Sequence, residues 1–115
     1  MIGRIDVRGH NGTPMRVIYV QPGDKSPNYQ AEPGRYGLVE FYDLRYPHTP
    51  DGQFISRYDL DTYMNGWCGD GGYDCGRGLD LYGSEPDWKI GADTRRIIGE
   101  WINYLTYNMQ EASHG

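Results

Sequence analysis

Six apolar residues near the end of the chain constrain its fold more than any other feature. Ile97, Ile98, Trp101, Ile102, Leu105 and Met109 stand at offsets of 0, 1, 4, 5, 8 and 12, and those offsets trace one stripe on an α-helix. The spacing predicts a helix over Ala92–Met109, with Asp93 or Thr94 capping its positive end. A helix that is apolar on one side only must bury that side against another element. Gly99 inside it costs about 1 kcal/mol against Ala and suits close packing. The last residues, 110–115, are expected to fray.

The partner surface is written in the first half of the chain. In Ile2–Arg8, Ile5 and Val7 point one way and Arg4, Asp6 and Arg8 the other, the period of a half-buried strand. His10-Asn11-Gly12-Thr13-Pro14 is turn-forming, and Met15–Val20 is a second β-rich run, so residues 2–20 read as a hairpin. Residues 21–35 hold three prolines and two glycines and read as a long surface loop. Tyr36–Asp43 resumes a strand with Val39 and Phe41 on one face, and Tyr46–Gly52 is a turn-rich connection. Ser56 has the chemistry to cap a short helix over Arg57–Asn65, closed by Gly66. The glycine-dense stretch 66–78 reads as a flexible loop, followed by strand-like pieces at Leu79–Tyr82 and Trp88–Ile90.

The expected architecture is therefore a single α+β domain over residues 1–115. It has a small, mostly antiparallel sheet, the C-terminal amphipathic helix packed on one face, and a short second helix. The chain is tyrosine-rich, with 11 Tyr, and 14% of its residues are aromatic. That density of large packing groups separates it from a disordered chain. No stretch approaches a membrane span, and MIGRIDVRGH lacks the apolar core of a secretory leader, so a cytoplasmic protein without a membrane partner is expected. A net charge of −5 argues against nucleic acid, whose binders carry a basic surplus.

Phosphate-loop, zinc-protease, nucleophile-elbow and EF-hand signatures are absent from the sequence. Cys68 and Cys75 are seven positions apart, wider than a usual local zinc pair, and read as free thiols. Asp70, Asp74 and Asp80 lack calcium-loop spacing. Neither a metal nor a cofactor is expected. The densest polar-aromatic mixture is Phe41–Tyr58. There His48 with Asp43 or Asp51 offers the residue types of a small hydrolase, a general base beside a carboxylate. The same stretch supports a second reading. Tyr and Arg are enriched where proteins bind one another, and Tyr29, Tyr36, Tyr46, Tyr58 and Tyr73 fall in or beside loops with Arg35, Arg45, Arg57 and Arg77. The binding candidates are Tyr42, Arg45, Tyr46, His48, Arg57 and Tyr58, and a non-enzymatic role is favoured because the loops are long for so short a chain.

Val39–Tyr58, followed by Gly78-Leu79-Asp80-Leu81-Tyr82-Gly83 and Trp88–Thr94, resembles a family of small uncharacterised actinobacteriophage proteins, those of mycobacteriophages especially. Nine Arg against two Lys is in keeping with a GC-rich host. The resemblance carries no activity and no catalytic residue. It implies a setting: a phage-encoded accessory protein in the host cytoplasm, binding a host or phage protein in host takeover or anti-defence. A virion or assembly component is a further alternative.

Overall fold

The computed structural model of the protein describes residues 1–9, 12–35, 37–59, 93–94, 96–102 and 104–105. Four strands, β1 (Ile2–Arg8), β2 (Pro14–Val20), β3 (Leu38–Asp43) and β4 (Gln53–Asp59), form one antiparallel sheet in chain order. A helix, α1, follows, helical at residues 93–94, 96–102 and 104–105. The described part of the chain is thus α+β. No helix among the described residues is long and apolar enough to cross a membrane.

The strands form because the sequence alternates and their register keeps that alternation in phase. Ile5 lies opposite Val17, and Val17 opposite Phe41, so one face of the sheet is continuously apolar. Met15, Val17, Tyr19, Val39 and Phe41 are fully buried there in one cluster with Ile98 and Ile102 of α1. Ile5, Val7, Ile55, Trp101 and Leu105 pack around it. Gly3 makes room for the helix: a Cβ at that position would meet Leu105 Cδ1 at 2.9 Å.

The opposite face carries a second cluster, Ile18, Val20, Leu38 and Tyr42, with Ile2, Ala31 and Phe54 against it. The loop between β2 and β3 supplies Ala31, so the proline-rich segment 21–35 lies on the sheet as well as connecting it. The N-terminal ammonium of Met1 pairs with Asp24 of the same loop, and the Ser26 side chain is fully buried beneath it.

One sequence expectation is overturned. The helix expected over Arg57–Asn65 does not begin there, because Gln53–Asp59 is strand β4, with Ser56 inside it rather than capping a helix. Thr49-Pro50-Asp51-Gly52 closes a tight turn, with Thr49 N–H to Gly52 O at 3.1 Å and Gly52 N–H to Thr49 O at 3.0 Å. That turn delivers the segment directly alongside β3, where pairing outweighs the weak helical preference of Phe, Ile, Ser and Tyr. The register slips between Phe41/Ser56 and Tyr42/Phe54, a bulge that sets two residues of β4 against one of β3. It turns Ile55 into the helix-side cluster and leaves Ser56 Oγ buried without a hydrogen-bond partner. The expectations for residues 60–92 lie outside the described residues: the rest of that helix, the glycine-dense loop, both cysteines, Asp70, Asp74, Asp80 and the two later strand pieces. The same holds for Tyr36 and the tail.

Candidate functional site

The face of the sheet away from α1 assembles two polar centres. Both are built by strand residues that alternation turns outward and loop residues folded back over them. In the first, the Asp51 carboxylate is 4% exposed and receives four hydrogen bonds. Arg4 of β1 donates from Nε at 2.8 Å and from Nη2 at 3.1 Å, a two-pronged grip. Arg16 of β2 donates from Nη1 at 3.1 Å, and Asn28 of the proline-rich loop from Nδ2 at 3.1 Å. Arg16 also holds Asp6 through Nε at 2.7 Å and Nη2 at 3.0 Å. The Arg4 hydrogen bonds chiefly, with Asn28 and Arg16, bring the Asp51 pKa down to about 2 against the cost of burial. Arg16 likewise lowers that of Asp6.

In the second centre, Glu40 of β3 is fully buried. Its Oε1 accepts from Ser26 Oγ at 2.8 Å and from the Tyr42 hydroxyl at 2.6 Å. Its Oε2 accepts from Arg57 Nε at 3.0 Å and lies 2.9 Å from Arg57 Nη2. Arg57 also lies over the Phe54 ring, 4.9 Å from its centroid. Burial, and then the bond to Glu40, push the Tyr42 pKa above the usual phenol range.

The residues singled out in the sequence divide accordingly. Tyr42 and Arg57 meet at buried Glu40, Tyr42 fully buried and Arg57 exposed. Asp43 is buried and receives the Arg45 backbone N–H at 2.9 Å and its Nη2 at 2.8 Å. The Arg45 side-chain bond is the main cause of its lowered pKa. Arg45 lies over the Tyr46 ring at 5.2 Å, and Tyr46 is 47% exposed. His48 is exposed, and its backbone N–H donates to Tyr46 O at 3.0 Å. Among the described residues, no hydrogen bond or ion pair joins the His48 imidazole to Asp43 or Asp51. Tyr58 is placed by its backbone in β4, opposite Val39, and its side chain lies outside the description.

Sequence reasoning missed Glu40, Ser26, Asn28, Arg4 and Arg16. The one signal available was Glu40 itself, an acid set among Leu, Val, Phe and Tyr in a strand. Among the described residues, no cluster of three or more His, Cys, Asp or Glu side chains offers a metal site. No protein-family model, curated protein or solved structure matches this chain.

Proposed function

We propose that this chain is a phage-encoded accessory protein of the host cytoplasm. It works by binding a host or phage protein, without catalysis, through the Arg45–Tyr46 corner of the β3–β4 loop. The observation that carries the reading is the pinned state of that corner. Asp43 holds the guanidinium from below, and the guanidinium lies against a tyrosine ring that is half open to solvent. An aromatic and an arginine fixed before the partner arrives lose little freedom on binding, the condition under which such residues dominate an interface.

The same geometry favours binding over the hydrolase alternative. Asp43 and Asp51 spend their oxygens on Arg45, and on Arg4, Arg16 and Asn28. Their lowered pKa values also make both poor proton acceptors. The phage setting is supported by the sequence resemblance at 39–58, 78–83 and 88–94. In this reading α1 is a permanent cover of one sheet face, and the chain acts as one domain.

Affinity capture from an actinobacterial host lysate, read by mass spectrometry, tests the proposal. The expected result is a stoichiometric partner lost on Tyr46→Ala while the thermal unfolding curve is unchanged. Tyr46→Ala is preferred to Arg45→Ala because Arg45 also neutralises buried Asp43. A partner retained by Tyr46→Ala and by the Arg45/Tyr46 double alanine variant would overturn it, as would a blank from folded bait.

A further inference from the structure

Among the described residues β1 has a strand on one side only, so its other side is an edge of the sheet, and its backbone directions follow from the hairpin. Gly9 N–H donates to Thr13 O at 2.7 Å, and Gln21 N–H donates to Met1 O at 3.0 Å. In an antiparallel pair such hydrogen-bonded positions alternate with open ones. The odd residues of β1 therefore face β2, and Ile2, Arg4, Asp6 and Arg8 turn their N–H and C=O groups to the free edge. Pro14, which has no N–H to give, sits opposite Arg8 at an open position. The Arg8 carbonyl accepts from Thr94 Oγ1 at 2.9 Å, whereas Ile2, Arg4 and Asp6 have no partner for their edge groups among the described residues.

We infer that this edge pairs with β1 of a second copy of the chain, antiparallel about a two-fold axis through Ile5, to give one continuous eight-stranded sheet. Charge carries the argument. Pairing about Ile5 sets Arg4 opposite the second copy's Asp6 and Asp6 opposite its Arg4, both as hydrogen-bonded pairs on the same sheet face. Shifting the register by two residues either way sets Arg4 against Arg4 or Asp6 against Asp6. Charged side chains on an edge, lysine especially, ordinarily discourage pairing with other strands. This edge alternates in sign and is self-complementary. Arg4 and Asp6 are already held within the chain by Asp51 and Arg16, yet their side chains are 43% and 55% exposed, so the outer side of each still faces the second copy.

The helix supplies the second half of the surface. Thr94 stands at the level of Arg8, and Trp101 and Leu105 stand at Gly3, so α1 runs antiparallel to β1 directly above it. Ile97 and Tyr104, seven residues apart and hence on one flank, are 44% and 64% exposed. On the helix circumference they lie on the Thr94 side of the buried Ile98–Ile102 stripe, which is the side of the free edge. Their midpoint falls near the level of Ile5. The axis that matches the strand charges therefore also brings Ile97 of one copy toward Tyr104 of the other. A self-complementary patch of this kind is what a two-fold interface requires.

Light scattering and sedimentation over a concentration series test the inference. The expected mass is twice the 13.2 kDa of the chain, with the dissociation constant rising as salt is added. Asp6→Pro removes an edge-facing N–H, at a position where a strand tolerates proline, and with it the carboxylate that Arg16 grips on the same strand pair. It should return the protein to the monomer with its circular dichroism intact. Ile97→Asp, at a position already open to solvent, should weaken the dimer at least about tenfold, and it decides the matter should Asp6→Pro unfold. A wild-type chain that stays monomeric to its solubility limit overturns the inference. So does a dimer of unchanged strength in either folded variant.

Discussion

Every acceptor position of Glu40 is occupied. Its two oxygens take Ser26 and Tyr42 on one side and Arg57 on the other, with no solvent at the side chain. A buried carboxylate is tolerated on these terms only, and removing it strands its donors. Glu40→Ala leaves two buried hydroxyls without an acceptor and Arg57 without its counter-charge. It should cost about 3 kcal/mol of unfolding free energy, read by urea titration. Ser26 lies in the loop that folds over this face, so the variant should also expose residues 21–35 to limited proteolysis. Glu40→Gln keeps the shape and the Oε1 acceptor and should lose less, which separates the charge from the packing. Equal losses in both variants would assign the whole effect to the ion pair with Arg57.

At the scale of elements, the β3–β4 turn decides what the following residues become. Gly52 sits at φ +109°, and a Cβ there would meet the Asp43 carbonyl oxygen at 2.5 Å. The contact is with backbone and cannot swing away. Gly52→Ala is therefore expected to lose about 2 kcal/mol or more, combining the strained φ with the clash. Thermal unfolding checks this, and Thr49→Ala, which loses only the hydroxyl bonds to Gly52 O and Asp51 N–H, should lose less. The turn also explains what was legible in the sequence. β1, β2 and β3 could be read because Ile2–Arg8 alternates, Met15–Val20 is rich in β-formers, and Tyr36–Asp43 sets Val39 and Phe41 on one face. Gln53–Asp59 carries no signal of comparable clarity, and Ser56 imitates a helix cap. Its strand identity comes from β3, through a turn outside the segment. The polar centres were hidden for a similar reason. Asp51 was visible as a carboxylate in a loop, but Arg4 and Arg16 lie 47 and 35 residues from it. Only the sheet order brings them together.

Across the whole molecule, the carboxylates that fasten loops and strands share one electrostatic pattern. Asp51 ties the β3–β4 turn to β1, β2 and the proline-rich loop, Asp6 pairs with Arg16, and Asp43 holds Arg45. Folding lowers the pKa of all three, that of Asp51 from 3.8 to about 2. Their contribution to stability is therefore complete above the ordinary carboxylate value and is lost as pH falls through that value toward the folded one. For Asp51 the amount at stake is about 2 kcal/mol. As far as these groups act, the urea midpoint should be level down to about pH 4 and then fall steeply toward about pH 2. Asp51→Asn cannot gain a proton at this site. It should begin less stable at neutral pH and show a shallower acid limb than the wild-type chain. A wild-type midpoint that stays level to the bottom of that window would mean that Arg4, Arg16 and Asn28 hold the turn equally well whether Asp51 is charged or not. The loop would then be fastened by the packing of Ala31 and Phe54 on the Ile18–Tyr42 cluster instead of by charge.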